Sequence, residues 1–201
     1  MQVEPGPRDQ RDVVAGVFEL ALDDGGKAQQ PVLLPRAEAD ALERAALDTP
    51  RALRLLAGSY SANAYPFSLR YQNCNQWVME LLATAWGGLA DAGDLRAQAQ
   101  RWLADHGYAP QPVDVGSHLL MFASTFIPWV HVDDHPPEDR FALRLRTSLP
   151  SSIEAFVRER LPGARRIELC HDERQAVVHA GWEPVGEGCR ARAGDRVIAL
   201  D

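Results

Sequence analysis

Two helices with clear start and end signals lie in the middle of the chain, and they restrict its fold more than any other feature. Over residues 73–86 the apolar side chains recur at helical spacing, and Gly87 ends the pattern. A second amphipathic helix begins after Asp94, a suitable N-cap, and ends at Gly107, a suitable C-terminal cap. These signals predict a helical centre for the fold.

Further helices and strands are predicted on both sides of this centre. Before it, residues 13–22 and 31–35 are typical of strands joined by a turn at 23–30, which predicts a hairpin. Helices are expected at 36–47 and, with Pro50 in its first turn, up to Gly58.

After the centre, residues 117–126 fit a helix or a strand equally well. The later predictions are a helix at 151–160 and strands at 129–134, 140–148, 165–170, 176–185 and 195–201. Strands before and after a helical middle imply an α+β fold with largely antiparallel pairing.

Composition and charge narrow the class of protein. The chain has 201 residues, of which 46% are hydrophobic and 24% charged, and this suits a globular protein with one good-sized core. We therefore expect a loose tail at 1–12 and a single α+β domain at 13–201, with 164–201 as a C-terminal strand region. A formal net charge of −7, with scattered basic residues, argues against a nucleic-acid partner.

Targeting signals and the pattern of cysteines indicate the cellular compartment in which a protein works. The sequence has no run long and apolar enough for a membrane span and no signal peptide at its start, so as written it predicts a cytoplasmic protein. In an oxidising compartment Cys170 and Cys189 could pair and leave Cys74 as the free thiol, whereas in the cytosol all three would be reduced.

Cys74 is the strongest candidate for chemistry. Asn73 is a good N-cap, and Gln76 three residues later imitates a capping box, so Cys74 would be the first helical residue. Unpaired N–H groups and the positive end of the helix dipole favour a thiolate there, as a cysteine nucleophile requires. The alternative is an inert core thiol, because Cys74 shares one helix face with Leu81 and Leu82.

The segments "SANAYPFSLRYQNCNQWVMELLATAWG", "HVDDHP" and "SSIEAFV" carry a family resemblance. From about Phe18 onward the chain resembles a bacterial family known as domain of unknown function 2145. More distantly, "NCNQW" is similar to the cysteine element of permuted papain-like amidases, acyltransferases and deubiquitinases. The resemblance implies a papain-like fold, with the nucleophile helix packed on a largely antiparallel sheet, and usually an exported protein. It implies no specific activity.

The order of the catalytic groups departs from that resemblance. Permuted papain-like families place the histidine before the cysteine, whereas every histidine of this chain follows Cys74. Either the chain is a shortened form of an exported, periplasmic protein, or the base lies downstream. His131, on a predicted strand, is then the first candidate and His118 the second, while the helix start around Asn75 would help hold an oxyanion.

Two functional hypotheses follow. The first is a thiol amidase or peptidase that acts on an unknown peptide, amide or ester through Cys74. The second is a non-catalytic binding or scaffold protein with a papain-like cleft that lacks a working base. We expect no cofactor and no metal, although in a strand His131, Asp133 and His135 would point to one side as a metal half-site.

Aromatic residues surround the cysteine in the sequence. They would either line a cleft or pack the loop before the helix, and they are Tyr60, Tyr65, Tyr71 and Trp77.

Overall fold

The computed structural model describes residues 19–21, 27–29, 31–91 and 93–200. The chain divides into two compact units. The sheet unit comprises the described residues up to Asp40 and those from Leu161 onward, and the helical unit is Ala41–Arg160. The predicted tail at 1–12 lies outside the described residues, and a single domain over 13–201 stays a prediction.

The described residues form helices and antiparallel strands. In chain order the elements are β1 (Glu19–Ala21), β2 (Lys27–Gln29), β3 (Val32–Leu33), α1 (Arg36–Leu47), α2 (Thr49–Arg54), α3 (Cys74–Trp86), α4 (Leu95–Asp105), β4 (Gln111–Asp114), α5 (His118–Ser124), α6 (Pro137–Phe141), β5 (Arg144–Thr147), α7 (Pro150–Arg160), β6 (Arg165–His171), β7 (Gln175–Ala180) and β8 (Arg196–Ala199). The predicted mixed architecture with antiparallel pairing is confirmed.

One antiparallel sheet organises the sheet unit. Its strand order is β1-β2-β6-β7-β8, and β3 also pairs with β6. Strand β6 is therefore central: Ala28 is opposite Cys170, and Cys170 is in turn opposite Val177 on β7. Cys170 also forms a disulfide with Cys189, and this bridge packs with Val177 and Val185 in a small core.

The inward side of β6 also carries charge. Arg166 and Glu168 are both buried, and Arg166 Nη2 donates to Glu168 Oε2 at 2.8 Å. Glu168 accepts a further hydrogen bond from the Val185 N–H, so the pair ties the strand to the loop after β7. Alternation therefore places Ile167 and Leu169 on the less buried side, with the ionic residues inside.

Helix packing builds the helical unit. α3 packs chiefly against α4 and also contacts α7, while β4 and β5 form a separate two-stranded ladder. The fully buried side chains include Leu55, Met79, Leu82, Leu95 and Leu103. The helix that was predicted to lie on a sheet thus has helices as its main neighbours within this unit.

Local signals placed the helices well. α1 has the predicted bounds, α3 begins after Asn73, and α4 begins after Asp94. Gly107, which follows the C-cap His106 of α4, adopts a φ of 81°, a conformation that glycine tolerates best.

The predicted N-terminal hairpin was wrong in its pairing. Most of the predicted strand at 13–22 lies outside the described residues, and β1 pairs with β2, inside the predicted turn. β3, the expected partner, pairs with β6 instead. Residues 27–29, which were predicted as part of the turn, form a strand because they pair with β6 as well as with β1.

Candidate functional site

Asn73 fixes the start of α3. Its Oδ1 accepts a hydrogen bond from the Gln76 N–H at 2.8 Å, which is the N-cap contact that the sequence predicts. Its Nδ2 lies within hydrogen-bond distance of Ala62 O, Thr147 Oγ1 and Ser148 O, at 3.0, 3.1 and 3.3 Å. Because Asn73 is buried and fully engaged, the first helical turn is held from both the preceding loop and the end of β5.

Cys74 is the first residue of this helix, and its side chain is exposed. The alternative interpretation, a core-facing thiol, was therefore wrong. The face that α3 buries is rotated away from Cys74 and includes Gln76, Met79 and Glu80. Within the described part of the chain, no acceptor takes the N–H groups of Cys74 or Asn75, so the thiol lies beside free donors at the positive end of the helix.

A groove of about 480 Å³ opens beside Cys74. Its lining residues come from the segment after α2, the residues just before α3 and the first turn of α3: Leu56, Ala57, Ser59, Tyr60, Gln72, Asn73, Cys74 and Trp77. Tyr60 and Trp77 were among the aromatic residues that the sequence offered for a cleft. Trp77 Nε1 donates to Ala52 O at 3.2 Å, which anchors the indole in the wall.

Asn75 occupies the second helical position, and its side chain already has a partner. Asn75 Nδ2 donates to Ser148 O at 3.1 Å. The side-chain amide is therefore a structural contact, and the group it leaves available to an anion is the backbone N–H.

His131 does not lie on a strand, so the predicted strand at 129–134 was wrong. Its backbone N–H lies within hydrogen-bond distance of Ser61 Oγ and Asn63 Oδ1, at 3.0 and 3.2 Å, and its carbonyl accepts from Asn63 Nδ2. These polar contacts replace strand pairing, although Val130 and Val132 alternate as in a strand. The imidazole stacks on Tyr71, with the ring centroids 4.4 Å apart.

The second candidate base, His118, lies elsewhere in the helical unit. It is the first residue of α5, it is exposed, and its ring contacts Phe141 edge-on. Neither His118 nor His131 is among the residues that line the Cys74 groove.

The "HVDDH" segment does not converge on a metal site. Asp133 pairs with Arg70 at 2.7 Å, and His135 is buried with its Nε2 2.7 Å from Asn63 O. Among the described residues, no cluster of three histidine, cysteine or carboxylate side chains is suited to hold a metal ion.

A buried polar cluster lies behind the groove wall, and the sequence analysis missed it. Gln72, which lines the groove, accepts from the Ala57 N–H and donates through Nε2 to Leu55 O and to Glu80 Oε2. Glu80 is fully buried, and burial raises its pKa, while hydrogen bonds and attraction from Arg96 act in the opposite direction. The cluster thus joins the two chain segments that form the groove.

Arg96 extends this cluster to the segment before Cys74. Its guanidinium contacts Glu80 through Nε at 2.9 Å and Nη2 at 3.1 Å, and it donates to Leu69 O and Tyr71 O. Gln100 Nε2 donates to Glu80 Oε1 and to Ser68 O. Glu80 is the only charged residue in the sequence of α3, and a lone charge in an apolar helix was the signal that could have indicated a buried pair.

The fold and this site define a mixed α/β protein whose exposed cysteine begins a capped helix beside a groove. The family model for an uncharacterized protein conserved in bacteria, DUF2145, matches residues 9–157, and the chain belongs to that family. Comparison with curated proteins and with solved structures gives no match. Among the described residues, no helix is long and apolar enough to cross a membrane.

Proposed function

We propose that the chain is a papain-like thiol amidase or peptidase that acts through Cys74. One observation carries the proposal: an exposed thiol stands at the first position of a firmly capped helix and lines a groove. A cysteine that only packs in the core would be buried and would not line a groove. The apolar parts of Leu56, Tyr60 and Trp77 suit a peptide, amide or ester ligand with an apolar group beside its carbonyl.

In the proposed reaction, Cys74 Sγ attacks the carbonyl carbon while its proton passes to His131. The tetrahedral oxyanion accepts a hydrogen bond from the backbone N–H of Asn75. When the intermediate collapses, the C–N bond breaks, the leaving amine takes the proton from His131, and a thioester to Cys74 remains. Water then hydrolyses the thioester with His131 as base, which releases the acid and restores the thiol.

The position of His131 supports its role in this proposal. Tyr71, on which the imidazole stacks, precedes Cys74 by three residues, and the backbone of His131 is fixed by Ser61 and Asn63. No hydrogen bond joins the imidazole to Cys74 Sγ in the part of the chain that the structure describes. The proposal therefore requires the pair to form when substrate binds, as catalytic hydrogen bonds commonly do.

The disulfide supports an oxidising compartment as the site of this activity. A pair formed by Cys170 and Cys189 persists in oxidising surroundings and leaves Cys74 as the thiol available for chemistry. On this ground we propose an exported bacterial setting, such as the periplasm, for the protein.

The test is formation and hydrolysis of a thioester at Cys74 with an activated ester substrate, followed by mass spectrometry of the oxidised, folded protein, with Cys74→Ala as the blank. We expect the thioester to form and then to be hydrolysed. His131→Gln should slow both steps, because a general acid–base group contributes about 10²–10⁴-fold, whereas the matched variant His118→Gln should leave both rates unchanged. Rates that fall only in His118→Gln would assign the base to His118 and overturn the role given to His131.

A second candidate function is a non-catalytic protein that binds a ligand in the same groove. This second function is favoured by the composition of the groove, because none of the residues that line the groove is a histidine. In that case iodoacetamide would alkylate Cys74 at the same rate in both histidine variants. Thioester formation with activated ester substrates would also be absent, although groove ligands would still protect Cys74 from alkylation.

A further inference from the structure

Residues 116–132 contain no aspartate, glutamate, lysine or arginine. The segment includes helix α5 and the turns that follow it. An uncharged stretch of this length in a chain with 24% charged residues would ordinarily be core.

The structure instead leaves this segment exposed. The relative exposure of Leu119 and Phe126 is 75% each, and that of Trp129 is 61%. We call the following set the apolar surface: Leu119, Leu120, Phe122, Phe126, Ile127 and Trp129. Exposed aromatic and aliphatic side chains that recur within one short segment, with the rings of Phe122 and Phe126 5.5 Å apart, mark a surface that binds an apolar partner.

A second groove, of about 510 Å³, borders the apolar surface. Helix α5 contributes His118 and Met121 to it, and the other wall comes from Val132 and helix α6: Pro137, Arg140 and Phe141. Phe141 is itself 84% exposed at the edge of this groove. The groove is therefore almost entirely apolar, with one permanent charge in its wall.

That charge has no protein partner among the described residues. Arg140 Nε is buried without an acceptor, while the neighbouring carboxylate of Asp139 is taken by Arg146 at 2.7 Å. A guanidinium beside an apolar groove is complementary to a molecule in which a phosphate is joined to hydrocarbon chains.

From these observations we propose that this face docks on a lipid bilayer surface. The apolar surface enters the boundary between headgroups and acyl chains, and Arg140 binds a lipid phosphate while the groove accepts part of a chain. A second copy of the chain fits less well, because a self-complementary interface would have to supply the anion for Arg140 and residues 116–132 contain no carboxylate. Trp129 and the phenylalanines are residue types that favour the membrane interface.

The experiment is flotation of the whole oxidised protein with phosphatidylcholine vesicles and with vesicles that also contain phosphatidylglycerol. We expect binding to both, with little loss in high salt, because apolar insertion dominates and the net charge of −7 gives no general attraction to anionic lipid. The variant Phe122→Ser/Phe126→Ser should bind at least about tenfold more weakly, since each ring loses its transfer free energy. These exposed substitutions should leave the unfolding midpoint unchanged.

Arg140→Gln should weaken binding to both kinds of vesicle, because both lipids carry the phosphate that Arg140 binds, and unchanged binding would overturn the role given to Arg140. Arg144→Gln is the matched control, because Arg144 is exposed and does not line the groove. Quenching of Trp129 fluorescence by lipids brominated on the acyl chains should accompany binding and should decrease in Trp129→Phe.

Absence of flotation by the unmodified protein would overturn the proposal, as would flotation that the double phenylalanine variant retains in full. The same holds for a concentration-dependent dimer, seen by sedimentation, that this variant abolishes while vesicles remain unbound.

Discussion

Glu80 and Arg96 form an ion pair that water does not reach, with Arg96 Nε 2.9 Å from Glu80 Oε2 and the Glu80 side chain 0% exposed. The pair joins α3 to α4, and through Arg96 it also holds the carbonyls of Leu69 and Tyr71. The segment that leads to Cys74 is therefore shaped by side chains from two helices.

Arg96→Met should destabilise the protein by about 3–5 kcal/mol, because it leaves the Glu80 carboxylate buried and unpaired. Arg101→Met, which removes an exposed arginine from the same helix, should cost less than about 0.5 kcal/mol. The measurement is urea unfolding of both variants. Equal losses of unfolding free energy in the two variants would show that the buried Glu80–Arg96 pair stabilises the protein no more than an exposed arginine does.

Asn73→Ala should destabilise α3 by about 2 kcal/mol or more, since the N-cap and a buried donor are lost together. Asn73→Asp is the informative comparison because it keeps the cap acceptor but places a carboxylate against the carbonyls of Ala62 and Ser148. We expect Asn73→Asp to be no more stable than Asn73→Ala by thermal unfolding. A stable aspartate variant would show that capping alone sets the helix start.

Gly87→Ala should destabilise by about 1–3 kcal/mol through overpacking at the end of α3. A Cβ at Gly87 would lie 2.7 Å from Ala83 O and 2.8 Å from Trp102 Cδ1. At Gly58 nothing lies within 4 Å of the same atom, so Gly58→Ala should be neutral or slightly stabilising. Chemical denaturation of the two variants tests the contrast, and similar midpoints would contradict it.

Stability should fall in alkaline solution because of Tyr108. Burial raises its pKa from 10.0 to about 12, although the hydrogen bond to Ser148 acts in the opposite direction. The folded state then holds the phenolic proton more tightly than the unfolded chain, so this stability is present below pH 10 and is lost as pH approaches 12. The loss should reach about 2–3 kcal/mol.

Tyr108→Phe isolates the effect of this group, because it should lack this part of the alkaline loss. The comparison is urea unfolding of both proteins across the same pH range. If the two pH profiles run parallel, Tyr108 does not keep its proton as proposed.

The oxidised protein should show one thiol to a colorimetric reagent when folded, and reduction with unfolding should reveal three. Reducing the Cys170–Cys189 bridge, which closes a loop with a sequence separation of 19, should cost about 3 kcal/mol in the sheet unit. Cys74→Ala should suffer the same loss on reduction, since Cys74 is outside the bridge. The loss is measured as the difference in unfolding free energy with and without reductant.

The parts of the fold that local chemistry controls were predictable. Helices α1, α3 and α4 follow from spacing and caps, and Asn73 with Gln76 located the helix start that carries Cys74. Each of these signals acts within one or two turns of chain, so a single sequence contains them in full.

The parts that depend on distant partners were not predictable. Val130 and Val132 alternate as in a strand, yet Ser61 and Asn63 capture the backbone of His131, some seventy residues away. Periodicity placed Cys74 on the buried face with Leu81 and Leu82. Glu80 is buried instead, because Gln72, Arg96 and Gln100 all hydrogen-bond its carboxylate. The exposure of Leu119 and Phe126 is likewise opposite to what their hydrophobicity indicates.

The pairing of β2 and β3 with β6 has a consequence for how the chain is made. Lys27 is opposite His171 and Val32 is opposite Arg166, so β2 and β3 leave the ribosome more than a hundred residues before the strand with which they pair. A nascent chain that stops after α7 contains the whole helical unit but leaves these strands with unpaired edges. Stalled or prematurely ended translation would thus yield a product that chaperones and proteases can distinguish from the finished protein.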